Sequence, residues 1–326
     1  MRTLHVFGGG KYVEYMAPLA QKYGFRILVR TSQRLENSFN LEESDNTKIL
    51  CGNNLLDLMN DDKPKEQDIG ISFSAPWILG PKIIASFCGN LYNLHGQPLP
   101  LFRGAGGYSW NILECSSSGG ISIHELTSEI DGGRLVAQTL FEFPIQLRTP
   151  YDYEEFAQKK AFQLLNHWFD SVVLGRVLDT TRNNLSELST YWPRLNTPTH
   201  GWINWSWPTA DIVSFIKAFS NPYIGAHTHL GKLPVRVNGC SIEEYQGNFH
   251  PFQYGLITRI VNGTYFVAHH DGYIVLDSIN PVNPTSDINA RLGDRLYTPS
   301  NILDEAMATR VQYSPGGEIM IVNHTM

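Results

Sequence analysis

A chain of 326 residues that is 42% hydrophobic, 17% charged and 12% aromatic is an ordinary folded protein, long enough for two domains, and not a disordered one. Twenty-five Lys and Arg against 31 Asp and Glu leave a net charge of -6 and an isoelectric point near 6.0. No bulk positive field marks it as a partner of nucleic acid or anionic membrane. No apolar run reaches the ~18 residues of a membrane span, and the start, MRTLHVFGGG, lacks the three parts of a secretory signal. Cys51, Cys88, Cys115 and Cys240 are widely spaced with no CxxC pair, against a disulfide framework or a zinc cluster. A cytoplasmic, unbridged protein is expected.

The first half alternates strand and helix signals. Thr3–Phe7 is a short apolar run that ends in glycines, followed by a helical stretch over Tyr12–Tyr23 and a strand-like run over Phe25–Val29. A polar stretch covers Arg30–Lys48. Then come a helix near Asn54–Asn60, an apolar run at Ile69–Phe73, a helix around Pro81–Phe87, and strands at Leu91–Leu94, Gly120–Leu126 and Arg134–Phe143. Such alternation implies parallel pairing in an α/β fold. A long amphipathic helix is predicted from Tyr151 to Leu174, with Phe156, Lys160, Leu164 and Trp168 on successive turns. Residues 179–208 are rich in Asn, Thr and Pro but carry Trp192, Trp202, Trp205 and Trp207, as a linker packed on something would. A short helix over Thr209–Phe219 precedes strands at Leu233–Val237, Tyr254–Val261, Thr264–His269 and Tyr273–Ser278, several joined by Asn-Gly and Asp-Gly turns. The tail from Asn289 gives no clear pattern. The expected organisation is an α/β domain over 1–178, a linker over 179–208 and a small β-rich domain over 209–326.

The most informative segment runs from Asn93 to Gly104. Asn93 and His95 are separated by one residue, so on a strand they project to the same side, and the carboxyl end of a parallel strand faces the usual ligand crevice. Downstream, a strand containing His124 leads through a polar loop to Asp131-Gly132-Gly133, which suits a tight turn presenting a carboxylate. Acyl transfer to an amine needs these residue types. An imidazole takes a proton near neutral pH, an amide donates to an oxyanion without changing charge, and a carboxylate favours the imidazolium. Taken singly, His95 suits a structural histidine, Asn93 a turn former and Asp131 a cap equally well.

Together these segments resemble the folate-dependent formyltransferase family, which includes glycinamide ribonucleotide, methionyl-tRNA and nucleotide-sugar N-formyltransferases. Its pattern, Asn-x-His-Pro-Ser-Leu-Leu-Pro, a Gly-rich stretch, a strand and an Asp-x-Gly turn, is matched in order by Asn93, His95, Pro100, Arg103-Gly104 and Asp131-Gly132-Gly133. Gly96, Gln97 and Pro98 depart from it. Asp68–Phe73 and the following Trp77-Ile78-Leu79 resemble the strand and turn that line the family's pterin pocket. The resemblance implies a Rossmann-like formyltransferase domain with a parallel-rich sheet, followed by a small, mostly β, OB-like barrel. It implies N10-formyltetrahydrofolate as cosubstrate and no metal. His95 would be the base, Asn93 the oxyanion donor and Asp131 the group that poises the histidine; Pro76, Trp77, Ile78, Leu79, Leu126 and Ile130 would face the pterin.

The acceptor is read from the second half. Asn204–Pro208, the helix after it and Asn221–Ala226 resemble the opening of the C-terminal domain of tRNA and nucleotide-sugar formyltransferases, a domain that the purine-pathway enzyme lacks. Residues 201–326 carry seven Lys and Arg against ten Asp and Glu, a poor surface for tRNA phosphates. A nucleotide-linked amino sugar is therefore expected as the acceptor, a dTDP- or UDP-linked 4-amino sugar for surface polysaccharide. Gly10, Lys11 and Arg103 are the candidates for contacting it, and dimerisation through the second domain is expected. The alternatives are methionyl-tRNA formyltransferase and a nucleotide-binding sensor without chemistry. Phe7–Lys11 reads as a close strand-to-helix turn, since Val13 occupies the third glycine position of GxGxxG. His227, His229, His269 and His270 read as surface or turn histidines rather than metal ligands.

Overall fold

The computed structural model describes residues 1–176 and 188–322. The first domain is built from β1 (Thr3–Gly8), α1 (Lys11–Lys22), β2 (Arg26–Thr31), β3 (Thr47–Cys51), α2 (Leu55–Asn60), β4 (Ile69–Phe73), α3 (Pro81–Ser86), β5 (Leu91–His95), β6 (Phe102–Gly104), α4 (Gly107–Leu113), β7 (Ser118–Glu125), β8 (Leu135–Glu142) and α5 (Pro150–Val173). Seven strands form one sheet in the order β3-β2-β1-β4-β5-β7-β8. The first five are parallel, whereas β7 runs antiparallel to β5 and β8 to β7. The expectation of parallel pairing is thus corrected at this edge: β7 and β8 are joined by a short loop, with no crossover helix to bring the second strand back in the same direction. The polar stretch hides β3, an edge strand, and Arg30, which is fully buried. Burial is tolerated because Arg30 donates to the carbonyls of Leu58, Asp61 and Asp62 and meets His5 Nδ1 at 2.8 Å.

Apolar residues cover both faces of the sheet. Val13, Met16 and Ala17 of α1 pack with Ala161, Leu165 and Trp168 of α5 on one face, and Leu55 and Met59 of α2, Ile83 of α3 and Phe87 just beyond it lie on the other. Helix α5 begins where Thr149 and Asp152 form a reciprocal capping box around Pro150, which has no N–H to lose there. The strand order reverses between β1 and β4, and this switch point is where α/β sheets place ligands. Gly8, with φ 121°, makes the close approach there: a Cβ would fall 1.9 Å from the Phe73 carbonyl oxygen.

The second half comprises β9 (Thr190–Trp192), α6 (Thr197–His200), α7 (Thr209–Ala218), β10 (Ala226–Leu230), β11 (Leu233–Val237), β12 (Cys240–Glu244), β13 (Ile257–Val261), β14 (Thr264–His269), β15 (Gly272–Leu276), β16 (Ile279–Pro281), β17 (Leu296–Tyr297), α8 (Ser300–Ala308), β18 (Val311–Tyr313) and β19 (Ile319–Ile321). Two four-stranded antiparallel sheets, β16-β11-β10-β17 and β12-β15-β14-β13, share an apolar interior with α7. The segment expected as a linker is anchored where it is described: β9 pairs with β6, and Trp110 Nε1 donates to the Pro193 carbonyl at 2.9 Å. Residues 177–187 of the first domain's end and that linker lie outside the described residues. Two of the histidines expected at the surface are core residues. His269 bonds Thr209 Oγ1 at 2.8 Å and the Trp205 carbonyl at 3.0 Å, and His227 is buried edge-on to Trp202. His269 shares the inward phase of Val267, whereas His227 is on the opposite phase from Ala226, where Trp202 covers it.

Candidate active site

Strand β5 lies between β4 and β7, with Asn93 opposite His124 and His95 opposite Ser122. Tyr92 and Leu94 point into the core beneath α5, so the two-residue period turns Asn93 and His95 to the other face. Ile121 and Ile123 do the same on β7, and Ser122 and His124 join that polar face. Four polar side chains thereby converge at the carboxyl end of β5. Ser122 Oγ donates to the Gln97 carbonyl at 2.8 Å and accepts from Leu99 N at 3.0 Å, which pins the loop that follows His95.

The hydrogen bonds decide the protonation of both imidazoles. His95 Nε2 lies 2.7 Å from the Phe102 carbonyl oxygen, a pure acceptor, so Nε2 carries a proton and Nδ1 is the nitrogen that titrates. His124 Nδ1 donates to the Glu125 carbonyl at 2.9 Å, leaving Nε2 to face Asn93 Nδ2 at 3.1 Å. Asp131 closes the group. Its Oδ1 is 3.4 Å from His124 Nε2, and its Oδ2 is 3.7 Å from His95 Nδ1 and accepts from Gly104 N at 2.9 Å. The loop needs its glycines: Asp131 itself has φ 48°, and a Cβ on Gly133 would sit 1.7 Å from the Glu125 carbonyl oxygen.

Charge follows from these contacts. Burial alone would push the Asp131 carboxyl up, but the His124 and His95 rings beside it and the Gly104 N–H outweigh burial and hold the group at about 2. Burial pushes His95 down, against the pull of Asp131 and of the Phe102 carbonyl, so the resting imidazole is neutral beside an ionised carboxylate. That is a base whose conjugate acid has a counter-ion already in place. Asn93 retains an N–H for a third partner after bonding His124.

The structure therefore brings Asn93, His95 and Asp131 into one cluster and adds His124, named in the sequence without a role because its pairing with Asn93 is set by the antiparallel register of β5 with β7. Next to the cluster lies a narrow cavity lined by His95, Gln97, Phe102, Gly104, Trp110 and Trp192. Gln97 Oε1 is buried without a hydrogen-bond partner among the described residues. Gly10 and Lys11 line a separate recess of about 300 Å³ at the switch point, with Leu35, Ser38, Ser74 and Glu154. Arg103 lines the cavity of His95 as well and pairs with Glu129. Trp77 is buried, its Nε1 donating to the Asn53 carbonyl at 2.8 Å, and Leu79 and Leu126 pack in the same apolar cluster. Pro76 is half-buried, while Ile78 and Ile130 are 82% and 50% exposed, apolar side chains with nothing over them in the folded chain. Among the described hydrogen bonds, none uses the backbone of Trp77, Ile78 or Leu79. No group of three or more His, Cys, Asp or Glu among the described residues is arranged to hold a metal. No helix among them is long and apolar enough to cross a membrane.

Comparison with known proteins gives matches over both halves. A family model described as formyl transferase matches residues 66–165, which hold the whole cluster, and one described as formyl transferase, C-terminal domain, matches residues 196–289. Among solved structures, WlaRD, a sugar 3N-formyl transferase crystallised in the presence of dTDP and 5-N-formyl-THF, superposes with a TM-score of 0.62 at 18% identity, over 87% of this chain and 98% of that one. An N-formyltransferase from Helicobacter canadensis, in complex with folinic acid and dTDP-3-aminofucose, gives 0.60 at 17% identity, over 86% and 100%. HypX from Aquifex aeolicus gives 0.58 at 13% identity, over 94% of this chain and 49% of that one.

Proposed function

From its membership of the formyl transferase family, which two matched segments spanning more than half of the chain establish, we propose that this enzyme transfers a formyl group from N10-formyltetrahydrofolate to the amine of a nucleotide-linked amino-deoxysugar. One observation carries the proposal: at the carboxyl end of β5 a neutral imidazole lies 3.7 Å from an ionised carboxylate, and His124 links that carboxylate to the amide donor Asn93. Attack of the sugar amine on the formyl carbon puts negative charge on the formyl oxygen and positive charge on the nitrogen. Asn93 Nδ2 donates to that oxygen. His95 Nδ1 takes the proton from the nitrogen, and Asp131 stabilises the imidazolium. The same proton then passes from His95 to the departing folate nitrogen, so the cycle ends with a formamide, tetrahydrofolate and a neutral imidazole.

The folate supplies the formyl group and a stable leaving amine. The residues at 76–79 and 126–130 fit it: Ile78 and Ile130 offer uncovered apolar surface, and the unused N–H and C=O groups of the 77–79 turn suit a pterin edge. The acceptor's nucleotide is favoured by the acidic second domain, which disfavours tRNA, and by the dTDP compounds named with both sugar formyltransferases. Surface-polysaccharide synthesis is the use we assign. Three exposed, unpaired cysteines, Cys51, Cys88 and Cys115, suit the reducing cytoplasm. Exposed Ile242, Tyr245 and Phe252 support dimerisation through the second domain.

The test is a mass-spectrometric transfer assay with N10-formyltetrahydrofolate and a panel of dTDP- and UDP-linked 3- and 4-amino sugars, with charged initiator tRNA as a separate acceptor. Gain of one formyl group on a nucleotide sugar is expected and names the ring position. Formylation of tRNA alone would overturn the acceptor.

A further inference from the structure

The chain continues past the matched segments into α8 and the β18–β19 hairpin, and this tail returns to the first domain. Its turn lies on the loops after β2 and β3: a Cβ on Gly317 would be 2.7 Å from Arg34 Cδ, and one on Gly316 would be 3.2 Å from Asn53 Nδ2. The tail delivers Tyr313 between two arginines of different segments. The guanidinium of Arg34 lies 5.6 Å from the Tyr313 ring centroid, and that of Arg194 lies 5.4 Å from it. Tyr313 is itself fixed, because Asn196 Nδ2 donates to its hydroxyl at 2.7 Å while Asn196 Oδ1 caps α6.

Two cations held against one ring repel each other, and among the described residues neither forms an ion pair with a carboxylate. Arg34 and Arg194 are both exposed, open to an incoming anion. An arrangement of this kind is relieved by an anion that both can reach. Its position indicates which anion. Arg34 precedes Leu35, which lines the recess of Gly10 and Lys11, and Arg194 follows Trp192, which lines the cavity of His95. Each arginine is thus within two residues of a wall of one recess, Arg34 at the switch point and Arg194 at the cavity of His95. Of the cations expected from the sequence to meet phosphate, Arg103 is already neutralised by Glu129.

We propose that Arg34 and Arg194, aligned by Tyr313, form the clamp for the diphosphate of the acceptor. This rests on the nucleotide-sugar reading above. Arg34, Arg194 and Tyr313 all lie outside the two family-matched segments.

Calorimetric titration tests it with dTDP and UDP as probes and folinic acid as the control ligand, on the full chain and its Arg34→Ala, Arg194→Ala and Tyr313→Phe variants. Each arginine variant is expected to bind the tighter nucleoside diphosphate about tenfold to a hundredfold more weakly, the loss of one charge-assisted bond. Its folinic acid affinity is expected to stay within twofold, which also shows that the variant is folded. Tyr313→Phe keeps the ring and loses the Asn196 bond, and a loss of threefold or more is expected. Unchanged nucleotide affinity in both arginine variants would overturn the clamp. Weakened folinic acid binding with intact nucleotide binding would overturn it too, assigning the arginines to the glutamate carboxylates of the cosubstrate. If the unaltered protein binds neither dTDP nor UDP, the nucleotide-sugar reading itself fails.

Discussion

Replacing Asp131 by Asn isolates what the buried charge does. The amide is isosteric and still accepts from Gly104 N, so the 131–133 turn is preserved while the negative charge 3.7 Å from His95 Nδ1 is removed. At an effective dielectric of about 20, two unit charges at that distance attract by about 4 kcal/mol. Both side chains are nearly buried, 11% and 12% exposed, so bulk water screens little of this. The carboxylate acts only once His95 is protonated, in the transition state, and the lost attraction therefore falls on kcat. At 1.36 kcal/mol per tenfold change, kcat is expected to fall by about a thousandfold with the folate KM little changed. The pH dependence has a defined sign. Without its counter-ion the imidazolium is less stable, so the acid limb of kcat/KM moves to lower pH while the plateau drops. Initial rates of formyl gain on the nucleotide sugar across pH 5–9 measure both effects. A kcat within threefold of the parent, or an acid limb moved to higher pH, would refute the role given to Asp131.

His124→Leu leaves Asn93 and Asp131 without their shared partner, and kcat is expected to fall about tenfold to a hundredfold while folinic acid still binds; unchanged kcat would make His124 merely a core residue. Gly133→Ala drives a methyl group into the Glu125 carbonyl and is expected to lower both the melting temperature and turnover, and a variant that melts and reacts like the parent would show that the loop can relax. Trp77→Ala is expected to weaken folinic acid binding by tenfold or more in calorimetry, and parental affinity would remove the 76–79 turn from the cofactor site. His5 and His227 are each held at about 4, both chiefly by burial, against 6.5 when unfolded. The unfolded chain therefore binds more protons between those values, and each group contributes about 3 kcal/mol above pH 6.5 that is lost as pH falls towards 4. Thermal melts should show the midpoint dropping steadily through that window, and a flat profile would contradict the burial of these two rings.

Much of the site was legible because it is local. Asn93 and His95 share a strand, where a period of two suffices to put them on one face, and Asp131 is marked by the glycines its turn requires. His124 is equally close in space but becomes meaningful only through the antiparallel register of β5 with β7, which a pattern suggesting parallel strands obscured. Strand β3 was hidden for the opposite reason: an edge strand with half-buried residues has no long apolar run to announce it. His227 and His269 were misread because side-chain polarity speaks for the surface until the partners of His269, or for His227 the ring packed against it, are seen. The tail could not be read at all. Tyr313 gains its place from contacts with Arg34 and Arg194, some 279 and 119 residues away along the chain, and no local periodicity encodes them.

The most direct test of the account is single-turnover formyl transfer by His95→Ala, with N10-formyltetrahydrofolate and the accepted nucleotide sugar both saturating, followed by mass spectrometry. Loss of the base is expected to slow the step by at least a hundredfold while folinic acid binds as before. Transfer at a rate within threefold of the parent would mean that the cluster at the end of β5 does not carry the reaction.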